Sequence, residues 1–417
     1  MRSDGPVSSV ARPQPVAGGL RFFRTDGSEL RFQRGRGGLV YTDAGTPYVD
    51  FVLGMGPVSI GHGNVEFTRR LGDALRDGVM LPTLTSAHEE YASLVLRDTP
   101  HARVVCYCKT GSEAVTGALR LAALHTGRKG VIRCGYVGWH DVQLASTPNW
   151  NELPGSPRRT ALRFDRHMRG AAGDEAAANW LDFDPAPLER LTSTDVFGAF
   201  VIDAYQIELT SRETIVRAID LCRRRGIVVI VDETKTAGRA TSASAYVRTD
   251  IDADLTVLGK AIGNGFPISV LVQHRDFDAA ARATRIGGTF SKECVSVHAA
   301  LITAALMEER QGYAALAAIG TRVVSLFQDA AQATGVDAIV SCRALLGGRL
   351  FEFRYAPDVA EDLDARQMFE RCCADRGVLL MEGHCSFVCL DHDALAWDRL
   401  ADASTQAMRD WKLRIRA

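Results

Sequence analysis

Apolar and polar positions along this chain change period several times, and each change predicts an element. Leu39-Val40-Tyr41-Thr42 and Pro47-Tyr48-Val49-Asp50-Phe51 flank Asp43-Ala44-Gly45-Thr46, which reads as two short strands around a glycine turn. From about residue 65 apolar positions recur at spacings of three and four, at Phe67, Leu71, Ala74 and Leu75, predicting a helix. A second helix is predicted over 86–96. The middle of the chain then alternates. Residues 104–107, 130–133 and 199–203 read as strands. Residues 112–125 read as a helix with Val115, Ala118, Leu119 and Ala122 on one face, and 213–225 as another. Ile227-Val228-Val229-Ile230-Val231 is an unbroken β-branched run, the pattern of a strand buried on both faces. Residues 255–258 and 268–272 complete the series. Such alternation predicts an α/β chain built on a mainly parallel sheet covered by helices, with ligands at the C-terminal ends of its strands. Past about residue 300 a long helix and a smaller mixed segment follow. The expected division is an N-terminal segment over 1–52, a large domain over 53–300 and a small C-terminal domain over 301–417.

Length and charge narrow the function. A chain of 417 residues is too long for one ordinary core. Lys plus Arg is 49 and Asp plus Glu is 50, a net charge of −1, which gives no electrostatic reason to seek nucleic acid or an anionic membrane. No apolar run approaches the ~20 residues needed to span a bilayer. The first twenty residues carry Pro6, Pro13 and Pro15 among Gly and Ser, without an apolar signal core. We expect residues 1–15 to be a disordered leader and the protein to be cytoplasmic. Ten cysteines are scattered, with Cys372 and Cys373 adjacent, and neither CxxC nor HExxH occurs, so neither a disulfide framework nor a metal site is expected. Cys106 and Cys108 read as small buried apolar residues.

Three features fall at the predicted C-terminal strand ends. Thr110-Gly111-Ser112-Glu113-Ala114 joins a strand to a helix. Its glycine, hydroxyls and free helix-start N–H groups suit a phosphate, although Ser and Glu here also serve as ordinary caps. Asp232-Glu233 follows the buried strand, where a carboxylate needs a partner such as a protonated ring nitrogen; helix capping or metal binding by acidic residues at a strand end weighs at least as much. Gly259-Lys260-Ala261-Ile262-Gly263-Asn264-Gly265 puts a lysine among glycines after an apolar strand, where burial can lower its pKa and leave an amine able to form a Schiff base. A lysine beside glycine is more often simply exposed. Together the three make the set that pyridoxal phosphate requires.

On these residues the chain resembles the class III aminotransferases, which are fold type I pyridoxal-phosphate transferases, and within them the glutamate-1-semialdehyde aminomutase-like branch. The resemblance runs from about Gly38 to the C-terminus, and the Asp232-to-Lys260 interval is similar to the family's. It implies a large domain with a mainly parallel sheet and small N- and C-terminal α+β parts. It also implies Lys260 as Schiff-base lysine, Asp232 as partner of the ring nitrogen with Glu233 beside it, and Gly111 and Ser112 on the phosphate. Tyr136, in Gly135-Tyr136-Val137-Gly138-Trp139-His140-Asp141, would stack on the ring. Thr289, in Gly287-Gly288-Thr289-Phe290-Ser291, would reach the phosphate of the neighbouring subunit, which implies an obligate homodimer with shared active sites. Gly54-Met55-Gly56-Pro57 and Gly61-His62 resemble the family's glycine segment near cofactor and substrate.

The departures bear on substrate. Val137 stands where the family often has His, Asp203-Ala204-Tyr205-Gln206 replaces a Glu-Pro-Val segment, and the aromatic-Glu gate is altered around His384-Cys385. These point away from glutamate-1-semialdehyde. Arg349 and Arg354 are the candidates for a carboxylate-binding arginine. Gly56, His62, Trp139, Tyr205 and His384 are the candidates to line the substrate pocket. The runs around Tyr136 and Thr289 resemble branch members that act on sugars and aminocyclitols. We therefore expect an aminotransferase working at a primary amine or aldehyde of a polar amino-sugar or aminocyclitol-like substrate, in secondary metabolism such as aminoglycoside antibiotic formation. The alternative is an isomerase, an epimerase or aminomutase, with Tyr136, His140, Cys106 or Cys108 as a second proton donor. A nicotinamide dehydrogenase would want Gly-x-Gly-x-x-Gly after the first strand, and Gly35, Gly37 and Gly38 lack that spacing. A non-catalytic relative would be expected to lose Lys260 or Asp232.

Overall fold

The computed structural model describes residues 20–140, 143, 177–181, 183–247 and 249–415. The expected leader, residues 1–15, lies outside them. Five short strands come first: β1 (Phe22–Phe23), β2 (Glu29–Leu30), β3 (Phe32–Arg36), β4 (Leu39–Thr42) and β5 (Pro47–Asp50). β4 and β5 are the pair predicted around the Gly45 turn. Helices α1 (Val65–Ala74) and α2 (Ser86–Val95) follow, with Asn64 capping α1 through the Phe67 N–H at 3.0 Å.

The body of the protein is one seven-stranded sheet built from β6 (Arg103–Cys108), β7 (Gly130–Cys134), β8 (Ala177–Asn179), β9 (Phe197–Asp203), β10 (Val228–Glu233), β11 (Leu255–Leu258) and β12 (Ser269–Gln273). Their spatial order is β6-β12-β11-β10-β9-β7-β8. β9, β10 and β11 are buried along their whole lengths, as the β-branched run of β10 predicts. Helices α3 (Gly111–Thr126) and α4 (Arg212–Arg224) connect strands of this sheet. All its pairings are parallel except those of β12, which runs against both β11 and β6. The cause is legible in the chain. Only residues 259–268 separate β11 from β12, too few for a crossover helix, so the chain must turn straight back. β8 is an added edge strand that the sequence pattern does not show.

The remainder holds two long helices, α5 (Val295–Glu309) and α6 (Gly312–Thr334), then β13 (Val340–Leu345), β14 (Leu350–Tyr355), β15 (Val378–Leu379) and β16 (Ser386–Phe387), and a last helix α7 (Trp397–Ile415). β15 pairs with β5, so late chain completes the first sheet. Phe51, Phe327, Phe351, Phe353, Phe369 and Trp411 pack edge to face, with Phe51 and Phe351 centroids 5.3 Å apart and Phe353 and Phe369 5.0 Å apart. This aromatic core matters to function because β16 is bound to it. Phe387 pairs with Leu350 and its N–H donates to Phe51 O at 2.9 Å, which fixes the His384 to Phe387 segment over the large sheet. Among the described residues no helix is long and apolar enough to cross a membrane.

Candidate active site

Parallel register brings the three predicted features to one edge of the sheet. Asp232 pairs with Val257 and Asp203, and Glu233 with Leu258, so the C-terminal ends of β9, β10 and β11 stand side by side. Lys260 follows β11 by two residues, in a one-turn 3-10 segment at Lys260–Gly263. Its backbone has φ +49°, a left-handed conformation that costs a non-glycine residue about 1–2 kcal/mol. The turn is pinned from the N-terminal part. Ser59 Oγ donates to Ala261 O at 2.8 Å and the Ile60 N–H to Asn264 Oδ1 at 3.0 Å. The Lys260 ammonium lies 5.9 Å from the centroid of Phe387. Burial, then the nearby charge of Lys235, lowers the amine to about 8.

Asp232 is buried at the end of β10. Burial first, and the neighbouring Asp203 carboxylate second, push it up to about 6, against two bonds from Thr234 that favour its ionised form. Both of those bonds, from the Thr234 N–H at 2.9 Å and from the Thr234 hydroxyl, go to Oδ1. Among the described residues Oδ2 receives no donor. Glu233 alternates to the other face of the strand. There its carboxylate accepts the Ser244 hydroxyl and the Ala245 N–H, and burial raises it to about 7. The structure therefore ties Glu233 to the 244–245 loop rather than to the Lys260 and Asp232 group.

The start of α3 closes another side. Thr110 caps the helix by accepting the Glu113 N–H, and Glu113 Oε2 accepts the Thr110 N–H, a reciprocal capping box. The Gly111 and Ser112 N–H groups then have no helical acceptor. A Cβ on Gly111 would stand 2.5 Å from Thr234 Oγ1, so only glycine lets this helix start approach the end of β10 so closely. The loop after β7 packs on the same turn, with the Trp139 N–H donating to Ser112 Oγ at 3.2 Å and Gln143 Nε2 to Ser112 O at 2.7 Å. Tyr136 on that loop feels the charges of Lys235, Asp232 and Asp203, and burial raises its hydroxyl above the usual range.

The substrate candidates divide. Gly56 belongs to the group: its carbonyl accepts Arg239 Nη2, and a Cβ there would meet the Phe387 ring at 2.6 Å. Tyr205 does too, with its ring 5.0 Å from the Lys235 ammonium and its hydroxyl donated to Glu352. His384 lies 5.5 Å from the Phe387 ring, and burial together with Lys260 and Lys235 holds it well below the ordinary histidine range, hence neutral. Trp139 is 61% exposed beside Ser112. His62 is tied elsewhere, to Asp50 Oδ2 at 2.8 Å and to the Gly37 backbone. Arg349 donates to the carbonyls of Tyr313 and Leu346, and Arg354 shares Glu352 with Arg343. His140 is bound to Thr116 at 2.9 Å. Cys106 and Cys108 stand with sulfurs 3.6 Å apart on the sheet's edge strand, and that contact and burial raise the Cys106 thiol. Thr289 is exposed on a one-turn segment at Thr289–Lys292.

Sequence reasoning missed several members of the group. Lys235 is buried and its ammonium lies 2.5 Å from Asp203 Oδ2; Arg239 is buried, and among the described residues its Nη1 has no hydrogen-bond partner; Thr234 and Phe387 complete the surroundings. The signal for Lys235 is the one used for Lys260, a lysine directly after a buried strand.

An amine lowered by burial, a buried acid with one oxygen and a helix start with two N–H groups that have no partner among the described residues, and a flanking tyrosine suit an anionic ring carrying a carbonyl and a basic nitrogen. Those open donors and that open acceptor fit pyridoxal phosphate. The family profile of the class-III aminotransferases matches residues 24–408, and the chain belongs to that family of pyridoxal-phosphate enzymes. It is 27% identical to a glutamate-1-semialdehyde 2,1-aminomutase from Dichelobacter nodosus (strain VCS1703A) over 357 residues, 81% of each chain. The fold is that of an omega-transaminase from Sphaerobacter thermophilus, with TM-score 0.76, 21% identity and 93% of both chains covered. It is also that of a glutamate-1-semialdehyde aminomutase from Pseudomonas aeruginosa PAO1, with TM-score 0.75, 18% identity, and 93% of this chain and 88% of that one covered.

Proposed function

We propose that this enzyme is an aminotransferase acting at a primary amine or aldehyde carbon of a polar amino-sugar or aminocyclitol-like substrate, in secondary metabolism of the aminoglycoside type. The observation that carries the reading is the meeting of Lys260 and Asp232 at neighbouring strand ends beside a polar wall of Tyr205, Lys235, Asp203 and His384. Arg349 and Arg354 are engaged by backbone carbonyls and by Glu352, which favours a substrate without a carboxylate to be held there.

Bound pyridoxal phosphate supplies a carbonyl for the amine and an electron-withdrawing ring that weakens a bond at the amine-bearing carbon. Lys260 Nζ holds the cofactor at rest and then carries a proton to and from that carbon. Asp232 Oδ2 would accept a hydrogen bond from the protonated ring nitrogen and so keep the ring cationic. The Gly111 and Ser112 N–H groups hold the phosphate at the positive end of α3. Tyr136 would lie against the ring, a contact worth about 0.5–1.5 kcal/mol beyond burial.

The working form is a homodimer in which Thr289 of the neighbouring subunit completes the phosphate site. Supporting this, Val79, Met80, Leu81, Leu84 and the 61%-exposed Phe290 are all exposed on two adjoining segments. Those segments are joined by the Cys294 N–H to Val79 O at 3.0 Å and Lys292 Nζ to Pro82 O at 3.2 Å. The isomerase reading stays beside the transferase one because a relative 27% identical over 81% of its length is named an aminomutase.

One spectroscopic experiment separates them. L-glutamate or L-glutamine added without acceptor should bleach the visible band of the holoenzyme to the near-ultraviolet amine form. If no common donor bleaches the band while an amino sugar takes up solvent deuterium at the amine-bearing carbon, the isomerase reading replaces the transferase one.

A further inference from the structure

Lys235 and Asp203, two members of that polar wall, form a buried ion pair to which none of the steps above assigns a role. Lys235 is 5% exposed and Asp203 1%, and the ammonium is 2.5 Å from Oδ2. Such a pair is a poor device for stability, since desolvation offsets its attraction and apolar residues of similar size serve as well. Its place is specific. The ammonium sits 5.6 Å from the Tyr136 ring centroid and 5.0 Å from that of Tyr205. Because Glu233 pairs with Leu258 in parallel register, Lys235 and Lys260 occupy matching positions, two residues beyond that pair on adjacent strands. The turns that carry them touch on both sides. A Cβ on Gly259 would lie 3.2 Å from Thr234 Cγ2, and one on Gly238 would lie 3.0 Å from Ile262 N.

We propose that Lys235 is a positioning residue, a positive charge locked by Asp203 against the two tyrosine rings that keeps the adjacent Lys260 amine from retaining its proton. The inference rests on Lys260 being the cofactor-linking lysine. Lys235 itself stays charged: burial, the largest single influence, lowers it, but Asp203 together with Cys385 and Asp232 more than offsets burial and holds it above the usual lysine value. The groups facing Lys260 are Lys235 and Arg239 from the turn after β10, Asp203 from the end of β9, and His384 and Cys385 from the segment before β16. After burial, Lys235 is the strongest influence on Lys260. Asp203 acts in the opposite direction, and neutral His384 carries no charge to compete.

The opposed signs give the test. In full-length protein freed of cofactor, labelling of Lys260 by acetic anhydride is followed against pH by peptide mass spectrometry. The native midpoint is expected at about 8. Lys235→Met should raise it by about one unit, roughly tenfold less label at neutral pH. Asp203→Asn should lower it, and Lys235→Arg should keep it near the native value. Midpoints that stay unchanged in Lys235→Met and Asp203→Asn, or that move the same way in both, would overturn the proposal. Should Lys235→Met fail to fold, Lys235→Gln takes its place: a raised midpoint supports the proposal and a native one overturns it. The underlying reading fails separately, if borohydride reduction of the holoenzyme fixes the cofactor on a peptide without Lys260.

Discussion

Asp232 and Lys260 leave the sheet from neighbouring parallel strands whose register pairs Asp232 with Val257 and Glu233 with Leu258. An acid made reluctant to ionise and an amine made reluctant to protonate thus share one desolvated edge, with values pushed to about 6 and about 8. Each is unfavourable alone. A ligand with a basic ring nitrogen and a reactive carbonyl relieves both, which is how perturbed groups mark a functional site.

Replacing the amine should abolish the covalent link without loosening the fold. Lys260→Ala keeps the Cβ, so the left-handed backbone at φ +49° is no more strained than before, and the loss of a buried amine should leave the thermal midpoint of the cofactor-free protein unchanged. Turnover should fall roughly 10³-fold or more, as expected when a proton carrier is lost. The visible band should vanish or shift to that of dialysable cofactor. A cofactor still bound covalently in this variant would rule out Lys260 as its anchor.

The acid carries a cost that can be measured in the fold. A carboxyl raised from 3.8 to about 6 favours its protonated form when folded. Its penalty on the cofactor-free protein is present above about pH 6 and disappears as pH falls below the unfolded value. Asp232→Asn should therefore raise the stability of that protein by about 1–3 kcal/mol at pH 8, with the gain shrinking below pH ~5. The same variant should retain pyridoxal phosphate far less well. Denaturation curves at the two pH values, beside a cofactor titration, check both signs; a loss of stability at pH 8 would contradict the first.

Much of this site can be read along the chain because parallel α/β sheets put loops of successive strands at one edge. The apolar runs before Asp232 and Lys260 and the strand-to-helix junction at Gly111 are local signals, and the fold brings them together. What stays hidden depends on distant packing. Phe387 reaches Lys260 only because β16 is held by β14 and Phe51, and Glu233 turns away from Asp232 because its partners are Ser244 and Ala245. His62 illustrates the converse, since its glycine-rich neighbourhood suggests a pocket while its imidazole is bound to Asp50.

Reloading of the cofactor-free protein should follow the protonation of Lys260. Only the neutral amine attacks a carbonyl carbon. With the amine at about 8, the rate constant for recovering the visible band should rise nearly tenfold per pH unit between about 6.5 and 7.5 and level off above pH ~8.5. Stopped-flow absorbance with excess pyridoxal phosphate measures it. A rate still climbing at pH 10 would mean that the reacting lysine is an ordinary solvated one.

Gly56 tests whether the N-terminal glycine segment shapes the site or merely borders it. Its φ is +102°, and a Cβ there would fall 2.6 and 2.7 Å from two atoms of the Phe387 ring and 2.9 Å from Arg239 Nη2. Neither neighbour can yield readily. Phe387 is held by strand pairing, and Arg239 Nε is bound to Lys235 O at 2.9 Å. Gly56→Ala should cost about 2–4 kcal/mol through backbone strain and overpacking. Because Phe387 faces the Lys260 ammonium, cofactor affinity should fall with it. Gly72→Ala is the matched control, a glycine inside α1 whose added Cβ meets nothing within 4 Å, and there alanine should stabilise by up to about 1 kcal/mol. Thermal melts and cofactor titrations of the two variants should move in opposite directions for stability, with affinity changing only in Gly56→Ala; equal effects would mean that the glycine segment packs outside the site.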